Sequence, residues 1–529
     1  MDVTKSAGEA LTDEPVPWSA PIDRALAIPL ALVALLGAMH LPFPFAWDQA
    51  VFVIGSERLA HGGVLYRDFW DANQPGIFWF YEWAGRLFGF SEIGIHSLEY
   101  VLQLTFAVVL AATLRGCFRQ RLAALCVPLL TVGLAYAITS DWHLTQAHYL
   151  LGLPIYLTLW FGLSAAERNR TAIARCLLAG VAGGCILVTK IVLAPLVVAL
   201  WGVALARLLT SSGAGRWAAM VRACVAIAIG ALVPIGVTIL VLSRQHALQP
   251  ATWTWFTFPM LALKRVPGWN LVYFTDSLRW MATDWTPILV LAIPGTVHGL
   301  RRSFWFATGM LAWIVAGGAC LALQRISGWQ YQFMLLLPPI GVLAAFGLES
   351  VLDALSGVMP RANTKSRALV AMTLVLLLSP LPLIHVARKV VHLARHDWAL
   401  TQEGRWRFQI ETSRANAYGD AWACSRVLAE PGARSGPIYV LGNPVMYWVT
   451  GRRPAPPRCG GTMMNQLDQD GWLEITRILR ATTSYVFVSR ADQHLIEVLR
   501  PDSDPMFALL STSYRPVHRD DCGTWYEHR

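Results

Sequence analysis

Residues 47–81 read WDQAVFVIGSERLAHGGVLYRDFWDANQPGIFWFY. The stretch lies between an apolar run at 24–43 and the next at 96–114, so it forms a loop at one face of a membrane. Two membrane helices can be joined by a few polar residues, and loops beyond about 15 residues are usually functional or disordered. This one is too rich in Trp, Phe and Tyr to be disordered, and it carries Asp48, Asp68 and Asp71. Asp48 to Glu57 predicts an amphipathic helix, with Val51, Ile54 and Leu59 spaced for one buried face. Such a helix would lie in the interface plane with its apolar side on lipid. The carboxylate that opens it would then stand at the mouth of the cavity enclosed by the bundle.

The rest of the chain supports a membrane setting. Of its 529 residues 55% are hydrophobic and 14% charged, which excludes an ordinary soluble protein. Runs of roughly 17 to 25 apolar residues cross a bilayer. About eleven are predicted: 24–43, 96–114, 122–139, 144–165, 174–189, 191–208, 223–243, 286–300, 303–323, 333–350 and 367–386. Lys and Arg number 43 against 33 Asp and Glu, but the excess lies in short loops between these runs and does not point to nucleic acid. Arg115, Arg119 and Arg121, Arg168, Arg170 and Arg175, Arg207, Arg216 and Arg222, Arg301 and Arg302, and Arg361, Lys365 and Arg367 fall in alternate loops. The opposite short loops, Ser140 to His143 and Gln324 to Gln332, carry only Arg325. The positive-inside rule then puts the tail 1–23 in the cytoplasm and the long loops 44–95 and 244–285 outside. The first ~20 residues lack the features of a cleaved signal peptide, so the first helix is expected to remain as an anchor.

Loop 244–285 repeats the aromatic and charged character of the first. It interleaves Trp253, Trp255, Phe256, Phe258, Trp269, Tyr273 and Trp280 with Lys264, Arg265, Arg279, Asp276 and Asp284. That mixture suits an anionic lipid-linked headgroup, and it also suits an aromatic belt that merely seats the loop in the interface. Beyond about residue 390 the pattern changes. Residues 437–442 and 484–489 read as buried strands, with a helix over 473–479 between them. A small α/β domain over 390–529 follows, outside the membrane. None of the nine cysteines forms a metal-binding pattern. Cys424, Cys459 and Cys522 lie in this outer segment, where one disulfide is possible and one thiol is left over.

Single residues stand out. Lys190 interrupts an apolar stretch at the expected outer end; charge at membrane depth defaults to function, although lysines near ends also snorkel. Asp68 and Asp71, three apart, would share a face of a helical turn; they could bind a divalent metal, orient an acceptor or cap the next helix. Asp141, His143, Gln146 and His148 cluster at the outer start of the fourth run. Gln146 and His148 face different sides and make poor joint metal ligands. Asp141 has the plainer reading of a helix start capped by Ser140 or by itself.

Asp48 after the first span, the amphipathic segment, and Tyr66-Arg67-Asp68-Phe69-Trp70-Asp71-Ala72-Asn73-Gln74-Pro75-Gly76 together resemble the first external loop of polyprenyl-phosphate-dependent glycosyltransferases. The likeness is to bacterial protein-mannosyltransferase-like enzymes and the lipid A aminoarabinose transferase, membrane enzymes of the GT-C fold. This chain has Asn73-Gln74-Pro75-Gly76 where many members have Lys-Pro-Pro-Gly. The resemblance implies that Asp48 is the catalytic base and that Lys190, at a helix junction before Pro195, binds the donor phosphate. It also implies that Arg325 and Tyr331, ahead of Leu335-Leu336-Leu337-Pro338-Pro339, serve that phosphate; Lys264 or Arg265 of the second loop could add their charge to its stabilisation. Asp68, Asp71, Asn73, Gln74, Asp141 and His148 are left as acceptor or sugar contacts.

The expected fold is thus an all-α polytopic membrane protein, GT-C-like over 24–389, with a small C-terminal α/β domain. The expected function is inverting sugar transfer from a polyprenyl phosphate to a lipid, glycan or protein hydroxyl at the outer face of a bacterial inner membrane. No cofactor is required by this chemistry, although a divalent metal is possible. One carboxylate suffices as base, because the phosphate leaves unprotonated; hydrolases need two. The rival reading is a transporter or flippase of lipid-linked saccharides. Such proteins are commonly built from internal repeats, and none is visible. A non-catalytic subunit with a degenerate site is a third reading.

Overall fold

The computed structural model describes residues 24–529 except 168–170, 212–214, 266–270, 325–327, 362, 364–365, 367–368, 371–372, 374–379, 456, 460–466, 491 and 494–503. Among the described residues seven helices are long and apolar enough to cross a bilayer: Glu92–Cys117, Arg121–Ile138, Ala172–Thr189, Ile191–Thr210, Arg216–Arg244, Phe304–Leu323 and Gln330–Val358. The remaining expected spans are shorter or lie apart from these. Arg24–Ala38 is a shorter apolar helix, and Thr286–Arg302 has 17 residues. The run 144–165 is broken into Ala147–Leu150 and Gly152–Ser164. Most of 367–379 lies outside the described residues, as does the tail 1–23.

Two helix pairs pack backbone on backbone. A Cβ on Gly295 would lie 1.8 Å from the Leu343 carbonyl oxygen, and one on Gly347 1.8 Å from that of Leu291. Gly180 and Gly230 make the same reciprocal approach, at 2.1 Å from the oxygens of Ile227 and Leu177. In lipid the helices gain little from hydrophobic burial, so such close van der Waals contact holds them together. Gly347→Val must therefore push its helix away from the neighbouring one, with an expected cost of about 1–3 kcal/mol or more. Gly318→Val is the control, since a Cβ there meets nothing within 4 Å. Unfolding temperatures in detergent should drop for the first variant only; equal values would refute the tight seam.

The first external loop is a packed layer. Residues Trp47–Ala60 and Pro75–Phe88 form helices. The helix predicted to rest on lipid is instead inside the protein: Gln49, Ala50, Val51, Phe52, Val53, Gly55 and Ser56 are all buried. Its aromatic neighbours Phe45, Phe69, Trp70 and Tyr81 share one core with Tyr418, Tyr439, Trp472 and Trp525 of the C-terminal domain. Hydrogen bonds weld the two: Phe45 N donates to Tyr418 Oη at 2.8 Å, and Trp70 N to Pro457 O at 2.8 Å.

The second loop is helical too, over 248–265 and 271–284. A π-helical segment at Trp253–Thr257 interrupts its first helix. There the Trp255 indole donates to Tyr66 Oη at 2.8 Å, and Thr254 Oγ1 accepts from Trp70 Nε1 at 3.0 Å. Some of the aromatic side chains thus seat one loop on the other, whereas Phe256 stays exposed.

The C-terminal domain follows the expected strand–helix–strand order. Strand β1 (Ile438–Leu441) pairs in parallel with β2 (Tyr485–Ser489) across the helix Gln469–Thr482. Strands β3 (Tyr514–Arg519) and β4 (Gly523–His528) complete a sheet of order β1-β2-β4-β3, with β4 antiparallel to both neighbours. A disulfide joins Cys424 to Cys522 and leaves Cys459 as the remaining thiol.

Candidate functional site

Asp48 sits in the first turn of its helix, and Gln49 beside it sets that turn. The Gln49 Oε1 accepts from Ala46 N at 2.8 Å, and its Nε2 donates to the carbonyls of Asp141 and Leu144 at 2.7 and 2.5 Å. The helix start is thereby fixed to the turn before Ala147–Leu150. Asp48 points to the bundle, where its Oδ2 accepts from Tyr331 Oη at 3.1 Å. Burial, and then the neighbouring Asp71, push its pKa up to about 6, against the pull of Tyr331 and Lys190.

Lys190 ends the helix Ala172–Thr189 in a non-helical conformation. Its Nζ donates to Asn73 Oδ1 at 2.9 Å, and Gln74 Oε1 accepts from Ile191 N at 3.3 Å. The turn without a lysine therefore holds the lysine of another segment. Gly76 permits this contact, because a Cβ there would lie 2.3 Å from Thr189 Oγ1 and 2.8 Å from its Cα. Asp71 Oδ1 accepts from both the backbone N and the Nδ2 of Asn73 at 2.8 Å. Burial raises the Asp71 pKa and lowers that of Lys190, whose ammonium form Asp48 and Asp71 support. His148 is buried 6.1 Å ring-to-ring from Tyr331, and its Nε2 lacks a protein partner among the described residues. Asp48, Asp71, Asn73, Lys190, Tyr331 and His148 thus converge, with Gln74 behind them.

Other expected residues lie elsewhere. Asp68 and Asp71 do not share a helical turn. The Asp68 Oδ2 accepts from Val64 N at 2.8 Å and pairs with Arg67 at 2.9 Å, so it closes a surface turn. Neither caps the next helix, whose N-cap is Gln74. Asp141 accepts from Arg414 N at 2.8 Å and faces the C-terminal domain; burial pushes its pKa up to about 6. Lys264 is exposed on the outer helix Phe258–Arg265. Arg325 and the side chain of Arg265 lie outside the described residues. No three His, Cys, Asp or Glu converge to hold a metal among the described residues. Gln49 was missed, though a lone amide in an apolar helix start is a readable signal.

A family model described as dolichyl-phosphate-mannose-protein mannosyltransferase matches residues 72–239. That match takes in Asn73, Gln74 and Lys190 and starts after Asp48. Among solved structures, ArnT from Cupriavidus metallidurans bound to undecaprenyl phosphate is 13% identical over 95% of this chain and 97% of its own, with a TM-score of 0.57. The same enzyme in the apo state is 14% identical over 95% and 96%, with a TM-score of 0.56. No curated protein matches. The fold is that of the GT-C membrane glycosyltransferases, as the resemblance in the first loop implied.

Proposed function

With the GT-C fold as the premise, we propose that this membrane protein is an inverting glycosyltransferase using a polyprenyl-phosphate-linked sugar. The observation that carries the reading is a buried cluster in which the Asp48 carboxylate, held by Tyr331 Oη, feels the ammonium of Lys190, held by Asn73. The acceptor hydroxyl attacks the anomeric carbon opposite the phosphate and gives its proton to Asp48. As the new C–O bond forms, the bond from that carbon to the phosphate oxygen breaks. Its electron pair goes to the phosphate, whose charge the Lys190 ammonium stabilises. A base is most effective when its pKa lies near the working pH, and burial beside Asp71 provides this. The acceptor is a hydroxyl of an envelope lipid, glycan or protein.

The active face is the outer face of the cytoplasmic membrane, with residues 1–23 inside and 390–529 outside. The alternate arginine loops and the Cys424–Cys522 disulfide support this orientation. A reporter active only outside the cytoplasm should work when fused after Arg529 and be silent when fused at Arg367. The reverse pattern would turn the molecule over.

The function itself is tested by mass spectrometry of envelope glycans from cells lacking the protein. One glycan, lipid or protein should lose one sugar mass, restored by the intact gene and not by Asp48→Asn. An unchanged glycan profile would sink the proposal.

A further inference from the structure

A cavity of about 440 Å³ lies between the bundle and the C-terminal domain, within the size range of small-molecule sites. Trp47, Asp141 and Trp142 line it from one side, and Arg414, Asn443 and Arg490 from the other. Trp47 is the chain neighbour of the base. The Trp142 ring stands 5.8 Å from that of Tyr331, the donor to Asp48, so one aromatic layer separates this cavity from the Asp48 cluster.

Arg414 is the unusual member. Its guanidinium stacks over Trp142, 4.3 Å from the ring centroid. The backbone that presents it is strained: Ala415 and Asn416 have φ of +52° and +56°, a region costly for residues with a Cβ and tolerated where the surroundings impose it. Here Asp141 holds the Arg414 N–H at 2.8 Å, and Asp420 holds the Asn416 side chain at 2.6 Å. Those two carboxylates are engaged. Asp521 lies 3.6 Å from Arg490 at the open rim. Among the described residues no carboxylate lies within ion-pair distance of the Arg414 guanidinium. The Asp141 carboxylate acts on Arg414 electrostatically without an ion-pair contact, and stacking fixes the guanidinium plane, an arrangement that suits a phosphate or carboxylate.

We propose that this cavity holds the part of the acceptor remote from its reacting hydroxyl and selects a saccharide bearing an anionic group, held by Arg414 against Trp142 with Arg490 at the rim. The inference rests on the glycosyl-transfer reading above. It assigns the chemistry to the bundle and the choice of acceptor to the C-terminal domain.

The test uses the full chain in nanodiscs saturated with undecaprenyl phosphate, so that a phosphorylated sugar cannot report on the Lys190 site. Glucose 1-phosphate, glucuronic acid and glucose are titrated by calorimetry. At least one charged sugar should bind at least tenfold more tightly than glucose; which one does so separates phosphate from carboxylate. Arg414→Ala should remove that advantage, Arg414→Lys should restore some of it, and undecaprenyl phosphate affinity should stay as in the parent. Equal binding of all three sugars, no binding of either charged sugar, or an unaffected Arg414→Ala would overturn the inference. Failure of the parent protein to bind undecaprenyl phosphate would count against the donor reading, while the comparison of the parent with Arg414→Ala still decides the selectivity of the cavity.

Discussion

Asp48→Asn should lower the transfer rate by about 10² to 10⁴-fold, the usual worth of a positioned base, while donor binding and folding survive. Asparagine keeps the size of the side chain and an oxygen to accept from Tyr331 Oη, now 3.1 Å from Asp48 Oδ2. It also leaves the helix start intact, because Gln49 closes the Ala46 N–H there. Removing a charge that burial already disfavours should leave the unfolding temperature level or raise it. A residue kept for structure would show the opposite pattern, with stability lost and rate kept. The wild-type rate should also fall as pH drops through about 6, where Asp48 takes up a proton. A purified Asp48→Asn protein with near-normal turnover would remove Asp48 from the mechanism.

Lys190→Ala should weaken donor binding at least tenfold, about 1.4 kcal/mol, with expression intact. The site holds two carboxylates, Asp48 and Asp71, and Lys190 is the cation that offsets both. Its loss takes the positive charge from the donor phosphate and leaves the carboxylates to repel it. A second readout follows with a definite sign. Lys190 holds the Asp48 pKa down, so without it the acid limb of the pH–rate profile should move to higher pH. Unchanged donor affinity together with an unmoved profile would leave Lys190 as an anchor of the Asn73 turn only.

Much of this site could be read from local patterns. Asp48 opens a long aromatic loop, Lys190 stands alone in an apolar run, and the family-like motifs point to Tyr331. Each carries its signal within a few residues of itself. The errors share a physical cause, contacts between segments far apart in the chain. The period of residues 48–57 shows an apolar face, but not that this face meets protein rather than lipid. That depends on Tyr418, 373 positions along from the Phe45 it holds, folding back over it with its neighbours. Spacing alone likewise put Asp68 beside Asp71, whereas the turn at Val64 sends one outward and the other in. The missing lysine at position 73 reads as a loss until Asn73 is seen holding Lys190.

The core shared by the first loop and the C-terminal domain also sets a timetable for synthesis. The loop leaves the ribosome hundreds of residues ahead of the segments that cover it. At about 5–20 residues per second, Phe52, Phe69 and Trp70 wait on the order of tens of seconds before Tyr439 and Trp525 exist to bury them. A message cut short between residue 395 and Tyr418 would yield an inserted bundle with its aromatic layer bare. Quality-control proteases and chaperones of the envelope would meet such a product as an exposed greasy surface, so late nonsense changes should cost abundance as well as activity.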